Sequence, residues 1–188
     1  YYGDVGIKGD RITAVTPAGA LANAGAAKRI DAKGMVIAPG FIDIQGQSAE
    51  QLTTGDGRVI SKITQGVTTE ILGEGDTPAP VNDKILATFD ASDTAGIRVA
   101  KQFMGDRGFG AWLDAMQRHG ISVNVGSFIG AGTIRAYANG QTQGAPTAAQ
   151  LDTMRRVTRD AMKDGAFGVA SALIYPPGNY AGTHELSE

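Results

Sequence analysis

Met35-Val36-Ile37-Ala38-Pro39-Gly40-Phe41-Ile42-Asp43-Ile44-Gln45-Gly46-Gln47 is the stretch whose reading decides the fold. Its apolar run, Met35 to Ala38, stops at Pro39-Gly40, restarts at Phe41-Ile42, and then carries Asp43, Gln45 and Gln47 at alternate positions. In a strand these three side chains share one face, because successive side chains point to opposite sides. A strand that opens apolar and ends polar delivers chemistry to its C-terminal end, where parallel α/β architectures keep their sites.

Outward from this strand the chain alternates strand and helix patterns. Upstream, Val5 and Ile7 lead into a Gly9-Asp10 turn and Ile12 to Val15 lead out, a hairpin pattern. Arg29 to Gly34 reads as a short strand and turn. Downstream, Arg58 to Ile63 has helical spacing and ends at Gly66, and Val67 to Leu72 is a second strand closing on Gly73-Glu74-Gly75. Asp76 to Gly105 is a long connection with a short helix near Val81 to Ala87. Phe109, Trp112, Leu113 and Met116 then form one apolar helix face, closed by Gly120. Such a stripe is core rather than a ligand box, and neither His119 nor His184 is assigned chemistry.

Ile121 to Ile129 is a third strand, with Gly130 to Arg135 as its end. Thr147-Ala148-Ala149-Gln150 is a capping box opening a helix with Leu151, Met154, Val157 and Ala161 on one side. A fourth strand, Ala166 to Tyr175, breaks at Pro176-Pro177-Gly178, and Thr183 to Leu186 begins a further helix. Strands separated by helices give a parallel sheet through right-handed crossovers.

The net charge of −2 argues against a nucleic-acid or anionic-membrane partner. No apolar run reaches the roughly 18 residues of a membrane span. With no cysteine there is neither a disulfide nor a thiolate ligand. The chain opens on Tyr1, so a removed leader stays open and localisation is left undecided between cytoplasm and periplasm. Oligomeric state is equally open.

Ala38-Pro39-Gly40-Phe41-Ile42-Asp43 resembles the first barrel strand of the metal-dependent amidohydrolase superfamily, whose pattern is Pro-Gly-Phe-Ile-Asp-x-His-x-His. Gly66-Val67-Thr68-Thr69, Gly130-Ala131-Gly132-Thr133-Ile134-Arg135 and Leu173-Ile174-Tyr175-Pro176-Pro177-Gly178 follow in family order. They narrow the resemblance to the N-acyl-D-amino-acid deacylases. The resemblance implies an α/β fold: the N-terminal half of a (β/α)8 TIM barrel, preceded by part of a small β-domain. Residues 1–34 would belong to a partial β-sandwich domain and residues 35–188 to about four incomplete βα units. A complete barrel needs roughly 250 residues, so the 188-residue chain is read as a fragment, inactive alone.

The resemblance also implies a reaction: zinc-activated water hydrolyses the amide of an N-acyl-D-amino acid. One zinc per full-length chain is expected, held chiefly by histidines beyond residue 188. Gln45 and Gln47 stand where the family has two metal-binding histidines, and a neutral amide oxygen is a poor zinc ligand. Register puts Gly75 on the family's metal-bridging cysteine, and Gly-Ala-Gly-Thr from Gly130 lacks the family's histidine. Glu74 would stand in for the thiolate as a metal ligand, or else be a solvated strand-end residue. Tyr175 would hydrogen-bond the substrate near its scissile group, or be a rim tyrosine; Arg135 would attract the substrate carboxylate, or be merely solvated. Asp43 would support the strand-one site through hydrogen bonds. The competing functions are an amidohydrolase for cyclic amides or dipeptides, and a degenerate barrel that binds small molecules without catalysis.

Overall fold

Gly9-Asp10 makes the first turn of the chain, with Gly9 at φ +62°, joining β1 (Gly3–Lys8) to β2 (Arg11–Pro17). The two strands are antiparallel, pairing Val5 with Val15 and Ile7 with Ile12, and a bulge falls between Gly6 and Ile7. The expected hairpin is present. The computed structural model describes residues 2–188 and divides after Pro39 into two compact units, the second being Gly40–Glu188.

The strand expected at Arg29 to Gly34 is absent, and so is any strand over Met35 to Ala38. Arg29 instead donates to the carbonyls of Leu21 and Ala24, and Pro39 has no N–H to give to a ladder. Residues 35–39 therefore group with the first unit, five residues later than the break expected after residue 34.

In the second unit, β3 (Phe41–Asp43) pairs in parallel with β4 (Val67–Leu72), and β4 pairs in parallel with β5 (Asn124–Ser127). A further parallel pair joins β6 (Ile129–Gly130) to β7 (Val169–Ala170). Phe128 alone separates β5 from β6, and its amide donates to Leu72 O at 2.9 Å, carrying the ladder across the break. Phe167 N donates to Ser127 O at 2.9 Å, so the four chain segments lie side by side in sequence order.

Two expected strands are shorter than their apolar patterns. Ser122 turns away to donate to Gly57 O at 3.0 Å, so the third strand starts at Asn124 rather than Ile121. The fourth is only Val169–Ala170, because Gly165 and Gly168 take positive φ before it and a turn begins at Leu173 after it.

Helices α1 (Ala49–Thr53) and α2 (Ile60–Ile63) connect β3 to β4. α3 (Asp83–Leu86) and α4 (Thr94–Ala100) occupy the long connection, α4 capped by Asp93, whose carboxylate accepts from Gly96 N at 2.8 Å. α5 (Gly108–His119) buries Phe109, Trp112 and Met116, and α7 (Ala148–Lys163) buries Leu151, Met154, Val157 and Ala161, as their spacing predicts. Fully burying each such large side chain stabilises the fold by about 1.5–3 kcal/mol. The Thr147/Gln150 capping box opens α7 as read from the sequence. α6 (Ala131–Asn139) begins immediately after β6, and α8 (Thr183–Ser187) lies at the chain's end.

Candidate functional site

The C-terminal ends of the parallel strands gather the polar residues of interest. β3 stops at Asp43 and the chain turns at Ile44-Gln45, so the alternation that would align Asp43, Gln45 and Gln47 does not continue past Asp43. Asp43 makes this turn itself, its Oδ1 accepting from Gln45 N at 3.1 Å. Gly46 N then rejoins the ladder, donating to Ile71 O at 2.8 Å. Gln45 and Gln47 are exposed, while Gly46 and Ser48 between and after them are buried.

Beneath this turn lies a charge cluster that the family pattern does not indicate. Asp43 and Glu70 are register partners and so share a face of the sheet. Lys62 of α2 reaches both, its Nζ 2.6 Å from Asp43 Oδ2 and 3.5 Å from Glu70 Oε1. Ser48 Oγ donates to the same Glu70 oxygen at 3.0 Å. The Glu70 side chain is fully buried, and its Oε2 has no hydrogen-bond partner among the described residues. A Cβ on Gly46 would lie 3.1 Å from that oxygen, which explains glycine between the two glutamines. The hydrogen bond from Lys62, then that from the Gln45 amide, holds the Asp43 carboxyl below its ordinary pKa; the same Asp43 contact raises that of Lys62. Asp43 is thus an anchor of the turn. The signal for Glu70 was a carboxylate inside an otherwise β-forming run, Val67-Thr68-Thr69-Glu70-Ile71-Leu72.

At the rim itself, Gln47 Nε2 donates to Glu74 Oε2 at 2.8 Å, tying the chain after β3 to the end of β4. Gly75 follows at φ +77°, and a Cβ there would stand 2.8 Å from Ala172 Cβ, so the backbone excludes a side chain at this position. Ala172 O accepts from Tyr175 N at 3.4 Å, so the turn bearing Tyr175 abuts the end of β4. Tyr175 is 59% exposed. Asp76 packs over the start of α6, where a Cβ on Gly132 would meet its Oδ1 at 2.1 Å, and burial raises the Asp76 pKa. Thr77 N donates to Thr133 Oγ1 at 2.7 Å and closes the same corner.

Arg135 lies elsewhere. The expected strand-end loop from Ala131 is the first turn of α6, and the Arg135 side chain is buried on it. Its two terminal nitrogens donate to Glu185 and to the carbonyls of Thr142 and Gly144, and its Nε is buried with no partner among the described residues, so the guanidinium is closed off from the rim. Sequence reasoning had no means of seeing that Glu185 returns to meet it.

No three His, Cys, Asp or Glu side chains converge to hold a metal among the described residues. The rim presents the Glu74 carboxylate, oriented by an amide, beside two glutamines, with Asp76 two residues further on over the start of α6. This donor set fits one ligand of a zinc centre and does not complete one. No helix among the described residues is long and apolar enough to cross a membrane.

No protein-family model matches the chain. D-aminoacylase of Alcaligenes xylosoxydans xylosoxydans is 35% identical over 187 residues, covering 98% of this chain and 37% of that protein. N-acyl-D-aspartate deacylase of the same organism is 32% identical over 185 residues, covering 98% and 35%. A crystal structure of D-aminoacylase, described as defining a novel subset of amidohydrolases, matches with TM-score 0.78 at 32% identity, covering 98% of this chain and 37% of that one. N-acyl-D-glutamate deacylase of Bordetella bronchiseptica, complexed with zinc and a phosphonate mimic of the tetrahedral intermediate, matches with TM-score 0.68 at 26% identity and the same coverage. The mixed α/β fold and these matches place the chain among homologues of the amidohydrolases. More narrowly, it is homologous to D-aminoacylase and the N-acyl-D-amino-acid deacylases, and it spans little more than a third of their length.

Proposed function

We propose that this chain is part of a zinc-dependent amidohydrolase that deacylates N-acyl-D-amino acids, and that its parallel βα units are one half of a (β/α)8 barrel. The observation supporting this reading is that Gln47 and Glu74 are hydrogen-bonded at the C-terminal ends of the first two parallel strands, with the turn after the fourth, at Ala172, against Gly75. Ile42, 62% exposed on the sheet face opposite Asp43 and Glu70, supports further strands covering that side.

Zinc, when bound, supplies a water nucleophile at neutral pH and polarises the scissile carbonyl. Glu74 gives this half's one anionic donor to that centre, and the other ligands come from outside these 188 residues. On this reading Tyr175, exposed on the turn that follows Ala172, donates its phenolic proton to the oxygen that gains charge as the carbonyl is attacked. Asp43, Lys62 and Glu70 hold the turn carrying the two glutamines from below. The substrate carboxylate is bound by groups other than Arg135, which is buried with both terminal nitrogens engaged.

The test is hydrolysis of paired N-acyl-D- and N-acyl-L-amino acids by the longest natural chain carrying this sequence, with and without added zinc. Zinc-dependent release of the D-amino acid alone is expected. Faster turnover of hydantoins or dipeptides moves the protein to a neighbouring amidohydrolase class, and no turnover of any amide sinks the enzymatic reading. Residues 1–188 alone should release no D-amino acid, since they supply one ligand of the centre.

A further inference from the structure

We infer that Arg135 is a positioning residue, which through Glu185 and the loop after α6 fixes the turn that presents Tyr175 at the rim. The inference rests on the role given to Tyr175 in the proposed function and deepens it. Three observations carry it. First, the guanidinium joins two stretches far apart in sequence. One terminal nitrogen donates to Glu185 of α8, and the other donates to the carbonyls of Thr142 at 3.1 Å and Gly144 at 2.7 Å. The Arg135 and Glu185 side chains are 1% and 7% exposed, so the pair is made inside the protein. Second, both stretches lead to the segment bearing Tyr175. Glu185 closes that segment at its C-terminal end, and Gln143 Nε2, between the two pinned carbonyls, lies 3.5 Å from the Tyr180 hydroxyl. Within the segment, Asn179 N donates to Tyr175 O at 2.9 Å. A Cβ on Gly178 would lie 3.6 Å from Ala172 O and 4.0 Å from Gly132 Cα, on the first turn of the helix that carries Arg135. Third, apolar packing leaves the segment undetermined. A cavity of about 330 Å³ lies between α6, α7 and the segment, lined by Ile134, Leu151, Met154 and Leu173 together with Arg135 and Glu185.

A buried ion pair adds little net stability over an apolar pair of the same volume, because desolvation offsets the attraction; what it can supply is a single register. Arg135 bears that cost, its Nε being buried without a partner among the described residues. An apolar pair would leave the segment free to settle over the cavity in several ways, whereas the planar guanidinium holds Glu185 and both loop carbonyls in one. The Tyr175 side chain is 59% exposed, so its place at the rim is set by its backbone. That backbone is pinned at one end by Ala172 against Gly75 and at the other by Glu185 on Arg135.

The experiment combines Arg135→Met with Glu185→Leu in the longest natural chain, which removes both charges together and strands neither. Thermal melting should be nearly unchanged, while amide hydrogen exchange over residues 173–182 should speed up by about 10-fold or more. With an N-acyl-D-amino acid as substrate, kcat should fall by about 10- to 100-fold with KM unaltered, since a shifted phenol is missed only in the transition state. In a Tyr175→Phe background the same paired replacement should lower kcat no further, the non-additivity of groups that act as one unit. Where the paired replacement fails to fold, Glu185→Gln, which keeps an acceptor facing the guanidinium, is read in the same assays and should shift them in the same direction. Three results overturn the inference while leaving the deacylase reading intact: unchanged exchange over 173–182 in a folded variant, an unaltered kcat, or a kcat loss as large in the Tyr175→Phe background as in wild type. A chain whose exchange responds as expected but which hydrolyses no amide keeps the role of Arg135 in fixing the turn and loses the deacylase reading.

Discussion

Replacing Lys62 by Met removes the ammonium shared by Asp43 and Glu70 while keeping an unbranched stem of similar length. The Nζ to Glu70 Oε1 separation of 3.5 Å corresponds to about 5 kcal/mol of attraction at an effective dielectric constant of ~20. Breaking a buried pair by deleting one partner costs about 3–5 kcal/mol, because the other charge stays buried and uncompensated. Glu70 is fully buried, whereas Asp43 is 25% exposed and can recover water, so Glu70 sets the loss and Asp43 adds little. A loss of about 3 kcal/mol follows, read as a fall of roughly 1–3 M in the urea midpoint. Glu70→Gln alone should be nearly neutral: it keeps an acceptor for Ser48, discards a carboxylate oxygen that lacks a partner, and leaves Lys62 paired with Asp43 at 2.6 Å. In the double variant most of the Lys62→Met loss should vanish. The assay is a double-mutant cycle by urea unfolding of the longest natural chain. A loss below about 1 kcal/mol for Lys62→Met, or a double variant no more stable than the single, would refute the claim that a buried carboxylate is being neutralised here.

Other perturbations have equally definite outcomes. Arg135→Ala should cost about 3–5 kcal/mol by stranding Glu185, and Arg135→Lys should not restore it, since an ammonium cannot reach Glu185 and both loop carbonyls at once; chemical denaturation measures both. Gly75→Ala should destabilise by about 1–3 kcal/mol and by more than Gly140→Ala, because both have positive φ but only Gly75 faces a neighbour at 2.8 Å. The Asp43 carboxyl is held below its ordinary value, so its contribution is complete above the unfolded pKa of about 4 and is lost as pH falls through the lower folded value. Lys62 is raised, so its share is complete below about pH 10.4 and is lost as pH rises through the higher folded value. In acid, wild type should therefore lose more stability than Asp43→Asn.

How far these features were legible depends on their range along the chain. The hairpin at Gly9-Asp10 and the helices over Phe109–Met116 and Thr147–Ala161 follow from periodicity and capping within a dozen or so residues, and the structure has them. Strand ends were misjudged where backbone partners overrule composition. Met35 to Ala38 is apolar and β-forming but has no ladder, and Ala166 to Tyr175 is interrupted by Gly168 and the turn after Ala172. α4 escaped notice because its connection is rich in Asp, Ala and Pro, although Asp93 before Thr94 was a readable cap. At the rim, the replacement of histidines by Gln45 and Gln47 could be read directly. Three pairings between residues far apart in sequence could not: Gln47 with Glu74, Asp43 with Glu70 through Lys62, and Arg135 with Glu185. The last of these removed Arg135 from the candidate substrate contacts.

Anomalous diffraction at the zinc edge, from crystals of the longest natural chain grown with zinc, bears most directly on the central proposal. The account predicts one zinc peak within about 2.0–2.2 Å of a Glu74 carboxylate oxygen, with the Gln47 amide still on the other oxygen. A zinc bound through Gln45 or Gln47, or a zinc remote from the β4 end, would contradict it.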